Sequence, residues 1–303
     1  MLRWRLLVAA AIIVPLVGLL LADFHFNFGV PGIWLCPLAL LLTVMASAEV
    51  LDLLRSKDLR PMAWSIYAGA LLVVVAGFVP QLWLFTGSEY PADWPLGRLE
   101  WPLLGMATGV VLAFVGEMAR YEKPGGVIVN VALSVFTIAY AGLLLVFLIA
   151  LRTYHSNEWG MVALISTVFV TKMTDTGAYT FGRLFGRHKM SPILSPKKTI
   201  EGGIGGIVTA CLCSFAFFYW LAPVIVGPDA VRTQWWGCIV YGVVVGIAGM
   251  IGDLSESLLK RDMERKDSSS WMPGLGGVLD VLDSLLFAAP AAYLCFAAGI
   301  VGP

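Results

Sequence analysis

Long apolar runs separated by short polar loops recur along the whole 303-residue chain. Nine of them, at about 5–22, 31–52, 63–86, 99–118, 126–150, 158–182, 203–226, 234–258 and 279–301, reach or approach the ~20 helical residues needed to cross a ~30 Å hydrocarbon layer. Transmembrane strands would instead show alternating segments of about ten residues. None is present, so the runs read as helices whose backbone groups are satisfied internally. The expected fold is all-α: a polytopic integral membrane protein of about nine transmembrane helices. The N-terminal run "MLRWRLLVAAAIIVPLVGLLLADF" has the basic start and apolar centre of a signal peptide. It lacks a convincing small-residue cleavage site, so it reads as the first helix.

Composition agrees with this pattern. The chain is 59% hydrophobic with a mean hydropathy of +0.84 and only 13% charged, against about 25% charged in an ordinary soluble domain. A net charge of zero says little; the distribution says more. Sixteen of the 20 Lys and Arg fall on one side of the predicted spans: Arg3 and Arg5; Arg55, Lys57 and Arg60; Arg120 and Lys123; Arg183, Arg187, Lys189, Lys197 and Lys198; and Lys260, Arg261, Arg265 and Lys266. Only Arg98, Arg152 and Arg232 fall on the other side, and Lys172 lies inside a span. Positive-inside bias therefore predicts a cytoplasmic N-terminus, with an odd number of crossings and an external C-terminus. Cys36, Cys211, Cys213, Cys238 and Cys295 lie in or beside apolar segments without a C-x-x-C pair, and read as small hydrophobes. His25, His155 and His188 are scattered in loops, which disfavours a histidine metal site.

Residues 1–157 read as scaffold and lipid-access helices. Residues 158–303 read as the chemical region, with cytoplasmic loops 183–202 and 259–278. In the first part Glu49, Asp52 and Glu117 sit at cytoplasmic helix ends, where interfacial snorkelling or pairing with Arg55 or Arg120 accounts for them. In the second part the spans carry charge. Lys172 and Asp175 are i, i+3 in the sixth span, and Asp253 and Glu256 repeat that spacing in the eighth. Asp280 and Asp283 repeat it in the ninth, within "GGVLDVLDSLLF". Residues three apart share a helix face. A charge facing lipid costs at least ~3 kcal/mol, so these groups should face the bundle interior. A structural Lys172–Asp175 ion pair is one way to satisfy them.

At 1.5 Å per residue, Asp175 and Asp253 lie about 10 Å inside the cytoplasmic ends of their helices, and Asp280 and Asp283 lie in the first turns of theirs. Clustered carboxylates without His or Cys select a hard cation, Mg²⁺ where phosphates complete its shell. The alternative is a set of protonated or lysine-neutralised structural acids. Ser195–Pro196 fits an N-cap and first helical position, which would put Lys197 and Lys198 in a first turn. Cations are disfavoured there unless an anion is bound, although positive-inside bias also explains them. Gly182 and Gly186, and Gly202 and Gly206, are spaced for helix packing. Gly274, Gly276 and Gly277 precede the aspartates and would let backbone approach phosphate or metal. No strand precedes these glycines and no P-loop pattern occurs.

The run "SLLKRDMERKDSSSWMPGLGGVLDVLD", Ser257 to Asp283, resembles the signature of the phosphatidate cytidylyltransferase (CDP-diacylglycerol synthase) family, S-x-x-K-R-x-x-x-x-K-D-x-S-x-x-x-P-G-H-G-G-x-x-D-R-x-D. Ser257, Lys260, Arg261, Lys266, Asp267, Gly276, Gly277, Asp280 and Asp283 match it. "DTGAYTFGRLFGRHKMSPILSPKKTIEGGIGG", Asp175 to Gly206, is similar to the family's other polar block. Leu275 stands where the family usually has His, and Val281 where it usually has Arg.

The resemblance implies transfer of a cytidylyl group from CTP to phosphatidic acid, forming CDP-diacylglycerol and pyrophosphate. It places the enzyme in the inner membrane with its site facing the cytosol, and implies a homodimer. Asp253, Asp280 and Asp283, then Asp175, are the candidate metal ligands for Mg²⁺ and a possible second cation. Lys260 and Arg261 join the first three as catalytic candidates. Candidate substrate-binding residues are Asp175, Lys172, Lys197 and Lys198, with Ser195, Thr199 and Glu201 from the same loop. Lys266, Asp267, Gly276 and Gly277 complete the set. The runner-up expectation is a CTP-dependent polyprenol or phytol-type kinase, which would release CDP; a transporter would carry its charges through both leaflets, whereas here they crowd one side.

Overall fold

In the computed structural model, residues 2–88, 90–91, 94–228, 233–269 and 276–303 are described. Arg232, Gly274 and Leu275, used in the sequence argument, lie outside the described residues. Nine long helices follow one another among the described residues: α1 Leu2–His25, α2 Leu35–Arg55, α3 Ala63–Thr86, α4 Glu100–Ala119, α5 Val127–Arg152, α6 Asn157–Phe185, α7 Ile200–Val226, α8 Trp235–Asp262 and α9 Val278–Ala297. Seven of them, all but α1 and α6, are long and apolar enough to cross a membrane. α6 carries Glu158 in its first turn and Lys172 and Asp175 further along. The protein is a nearly all-α, polytopic membrane protein.

The only strands among the described residues form a short antiparallel hairpin, β1 Lys189–Ser191 and β2 Ser195–Thr199, with Lys189 opposite Thr199 and Ser191 opposite Ser195. This corrects the reading of Ser195 and Pro196 as a helix start. The cap is Thr199, whose Oγ1 accepts from Gly202 N at 3.1 Å, and α7 begins at Ile200. Lys197 and Lys198 are therefore strand residues, not first-turn residues. Pro196 is compatible with this strand because a two-stranded ribbon has free edges, where a missing N–H costs no ladder bond.

The chain divides into two compact units, residues 1–150 with 267–279, and residues 151–266 with 280–303. In the first unit small residues bring helix backbones together. A Cβ at Gly105 would lie 2.9 Å from Val73 Cα, and one at Gly69 would lie 3.1 Å from Gly109 Cα, so α3 and α4 are in near-backbone contact. The α1–α2 turn is closed by buried Asp23, which accepts from Gly32 N at 3.0 Å and Trp34 N at 3.1 Å.

In the second unit α6 begins at Ser156, whose hydroxyl accepts from Trp159 N at 3.2 Å. α6 and α7 cross on glycines: a Cβ at Gly202 would meet Ala178 O at 2.8 Å, and one at Gly206 would meet Thr174 O at 3.1 Å. The packing explanation for those glycines holds. On α8, Gly242, Gly246, Gly249 and Gly252 form a stripe facing, in turn, Cys211, Ala210, Thr171 and the carbonyl oxygen of Asp283. Side chains along this stripe would push α8 away from its neighbours, so its smallness sets how near the charged groups come to one another.

Candidate active site

The second unit holds the charged groups that the spacing singled out, on three helices, α6, α8 and α9, and the hairpin. Lys198 on β2 and Asp253 on α8 form an ion pair of 2.6 Å, both partly exposed. Two turns further along α8, Lys260 lies between two acids, 2.5 Å from Glu256 Oε2 and 2.6 Å from Asp280 Oδ1 on α9. Lys260 and Asp280 are 12% and 14% exposed and Glu256 only 2%, so this is a dry acid–base–acid chain. The second oxygen of Glu256, Oε1, is buried without a hydrogen-bond partner.

Lys172 on α6 donates to the Val281 carbonyl at 3.0 Å and to Ser284 Oγ at 3.1 Å, and lies 3.7 Å from Asp175 Oδ2. The Ser284 hydroxyl in turn donates to Asp175 Oδ2 at 3.3 Å. The Lys172–Asp175 ion pair expected on one reading is present. It is also tied to α9 through a fully buried serine. Val281, where the family signature has Arg, contributes its carbonyl to this arrangement.

Asp283 differs from the other three candidate carboxylates. It is 8% exposed, and its Oδ1 accepts only from the adjacent Ser284 N, at 2.5 Å. No Lys or Arg among the described residues lies within ion-pair distance of it, whereas Asp175, Asp253 and Asp280 each have a lysine. Asp253 and Asp175 both repel it through space, and Lys172, beyond ion-pair distance, offsets part of that repulsion. Asp175, Asp253 and Asp283 are thus near neighbours with excess negative charge, while Asp280 is drawn off to Lys260. Among the described residues, no three His, Cys, Asp or Glu side chains converge into a preformed metal cage. The donor set is carboxylate oxygen alone, which suits a hard cation that takes its remaining ligands from phosphate and water.

The other predicted site residues divide by role. Arg261 Nε donates to Leu194 O at 3.3 Å and its Nη1 to Arg265 O at 3.3 Å, holding the hairpin loop to the end of α8. Glu201 accepts from Arg187 N at 3.1 Å, from His188 N at 3.2 Å and from His188 Nδ1 at 2.6 Å, closing the turn after α6 rather than facing the acids. Thr199 is the buried cap of α7. Ser195 pairs within the hairpin, and Lys197, Lys266 and Asp267 are exposed. Gly276 has φ +86°, a left-handed conformation that favours glycine.

Three residues outside the predicted set matter. Ser284 and Glu256 both touch the charged chains; Glu256 was visible as the i+3 partner of Asp253, whereas Ser284 gave no signal. Glu49, in the first unit, is the third. It does not snorkel at the interface: it is 4% exposed and accepts from Ser268 Oγ at 3.0 Å, Val278 N at 2.7 Å and Leu279 N at 2.9 Å. Glu117, by contrast, pairs with Arg120 as expected, and also accepts from Asn130 Nδ2 at 3.2 Å.

Comparison with known proteins places this arrangement in context. A profile described as the cytidylyltransferase family matches residues 5–298. A protein named phosphatidate cytidylyltransferase from Staphylococcus haemolyticus is 34% identical over 255 residues, covering 82% of this chain and 87% of that protein. Proteins of the same name from Staphylococcus saprophyticus and Staphylococcus epidermidis are 33% and 36% identical over 161 and 162 residues, each alignment covering 53% of this chain and 57% of the relative. With the match running nearly end to end, the chain belongs to the cytidylyltransferase family.

Proposed function

We propose that the protein transfers the cytidylyl group of CTP to phosphatidic acid, releasing pyrophosphate and forming CDP-diacylglycerol for phospholipid synthesis. It is a nucleotidyltransferase set in a membrane. The observation that carries the reading is the gathering of Asp175, Asp253 and Asp283 beside Lys172 and Lys198 on helices α6, α8 and α9 and the hairpin. Two polyanionic substrates cannot approach one another unscreened, and alternating acids and lysines suit a cation and two phosphate groups together.

In the transfer, a phosphate oxygen of phosphatidate attacks the α-phosphorus of CTP. The new P–O bond forms as the bond to the β-phosphate breaks, and pyrophosphate leaves with the electron pair. The chain's own work is positioning and charge compensation. Asp283, Asp253 and Asp175 would hold Mg²⁺, which when bound neutralises charge on the phosphate oxygens. Lys198 and Lys172 are exposed enough to turn from their carboxylates toward phosphate. Lys260 keeps Asp280 and Glu256 compensated. Exposed Lys197 offers a further cation at the hairpin.

The site is assigned to the cytosolic face of the inner membrane, with the N-terminus on the same side. The basic loops support this, because CTP is cytosolic and the lipid phosphate lies at headgroup depth. Nine crossings accord with the nine long helices and with α6 crossing despite its charges.

Purified protein supplied with phosphatidate, Mg²⁺ and CTP labelled on either the α- or the γ-phosphorus tests the reading. The α-label should enter lipid and the γ-label appear in pyrophosphate. A γ-labelled lipid with release of CDP would make the protein a lipid kinase instead.

A further inference from the structure

α9 starts abruptly. The preceding residue, Gly277, has no side chain to cap it, yet the first N–H groups of a helix need acceptors. Val278 N and Leu279 N find theirs in Glu49, a buried carboxylate 229 and 230 residues earlier in sequence, which also accepts from Ser268 Oγ. All these residues belong to the first unit. A Cβ at Gly277 would fall on the Glu49 carboxylate and on Ser268 Oγ, so the glycine is what lets the acid reach the backbone. Asp280 follows one residue after this capped pair and Asp283 one turn later, on the same continuous helix.

We propose that Glu49 is a positioning residue for cytidylyl transfer: by accepting from the first two N–H groups of α9 and from Ser268, it fixes the turn from which Asp280 and Asp283 project. The inference rests on the transfer reaction proposed above. A carboxylate suits this task better than a neutral cap. It places negative charge at the positive end of the helix, and hydrogen bonds to a charged acceptor are about twice as strong as neutral ones. Its burial excludes the water that would otherwise compete for the same N–H groups.

The test compares wild type, Glu49→Gln and Ser268→Ala as full-length protein in detergent. Two quantities are read: amide exchange in 276–283 against 286–297, and CDP-lipid formed per folded molecule. Glu49→Gln weakens charge-assisted bonds, so exchange in 276–283 should rise about tenfold or more while 286–297 is unaffected. Turnover should fall at least about tenfold, with a higher Mg²⁺ concentration needed for half-maximal rate. Ser268→Ala removes one donor and keeps the charge, and should move both quantities the same way by a fewfold; it decides the matter if Glu49→Gln does not fold. Faster exchange with undiminished turnover would reduce Glu49 to a structural cap, and unchanged exchange would remove even that role. Wild-type protein that makes no CDP-lipid from CTP and phosphatidate would overturn the reaction itself, an outcome distinguishable from either.

Discussion

Lys260 sits between Glu256 and Asp280, and each ion pair matters because little water reaches them. Removing one partner of a buried ionic group leaves the others uncompensated, at about 3–5 kcal/mol. Lys260→Met should therefore lower the melting temperature sharply, and adding Glu256→Gln should restore part of the loss; a double variant no more stable than the single one would contradict the bridge. Asp283 poses the opposite case. It has negative neighbours and no lysine of its own, so Asp283→Asn should stabilise the fold slightly while removing activity. An equal loss of both, followed by thermal melting alongside turnover, would show Asp283 to be structural. These roles differ although both acids match one signature. Spacing put Asp280 and Asp283 on one helix face, but only the packed structure reveals that Asp280 pairs with Lys260 while Asp283 has acidic neighbours and no ion-pair partner among the described residues.

Between α8 and α9 the decisive residue is Gly252, because a side chain there would press on the carbonyl of Asp283. Gly252→Ala should cost about 1–3 kcal/mol by overpacking and slow transfer, whereas Ala at Gly18, which has open space around it, should do neither. Thermal melting and pyrophosphate release measured on both variants check this. The helices themselves were legible because burial in lipid requires long apolar runs and satisfied backbone, and both leave a local trace. The hairpin was not. Ser195–Pro196 carries the local mark of a helix start, and what makes it a strand is pairing with residues 189–191, which periodicity does not report. Glu49 was illegible for a related reason: its partners lie 219 to 230 residues away, and an acid near a helix end looks the same whether it snorkels or caps another helix.

Over the whole molecule, a first unit rich in apolar helices accompanies a second unit in which charge is concentrated on α6, α8, α9 and the hairpin. The proposed topology places that charge at the cytosolic boundary. A single cysteine introduced at exposed Lys197, on a background with the five native cysteines replaced, should react with a membrane-impermeant thiol reagent only when the cytosolic face is open. Labelling from the outside of intact cells would reverse the orientation. The central claim is that the acids of α6, α8 and α9 are made productive by a divalent cation and direct CTP onto a lipid phosphate. The most direct measurement is the Mg²⁺ dependence of CDP-lipid formation by wild type and Asp283→Asn in the same detergent. Wild type should show saturable, Mg²⁺-dependent formation, and the variant at least about a hundredfold less, a loss of roughly 3 kcal/mol typical of one key electrostatic contact. Equal rates at every Mg²⁺ concentration would contradict the account.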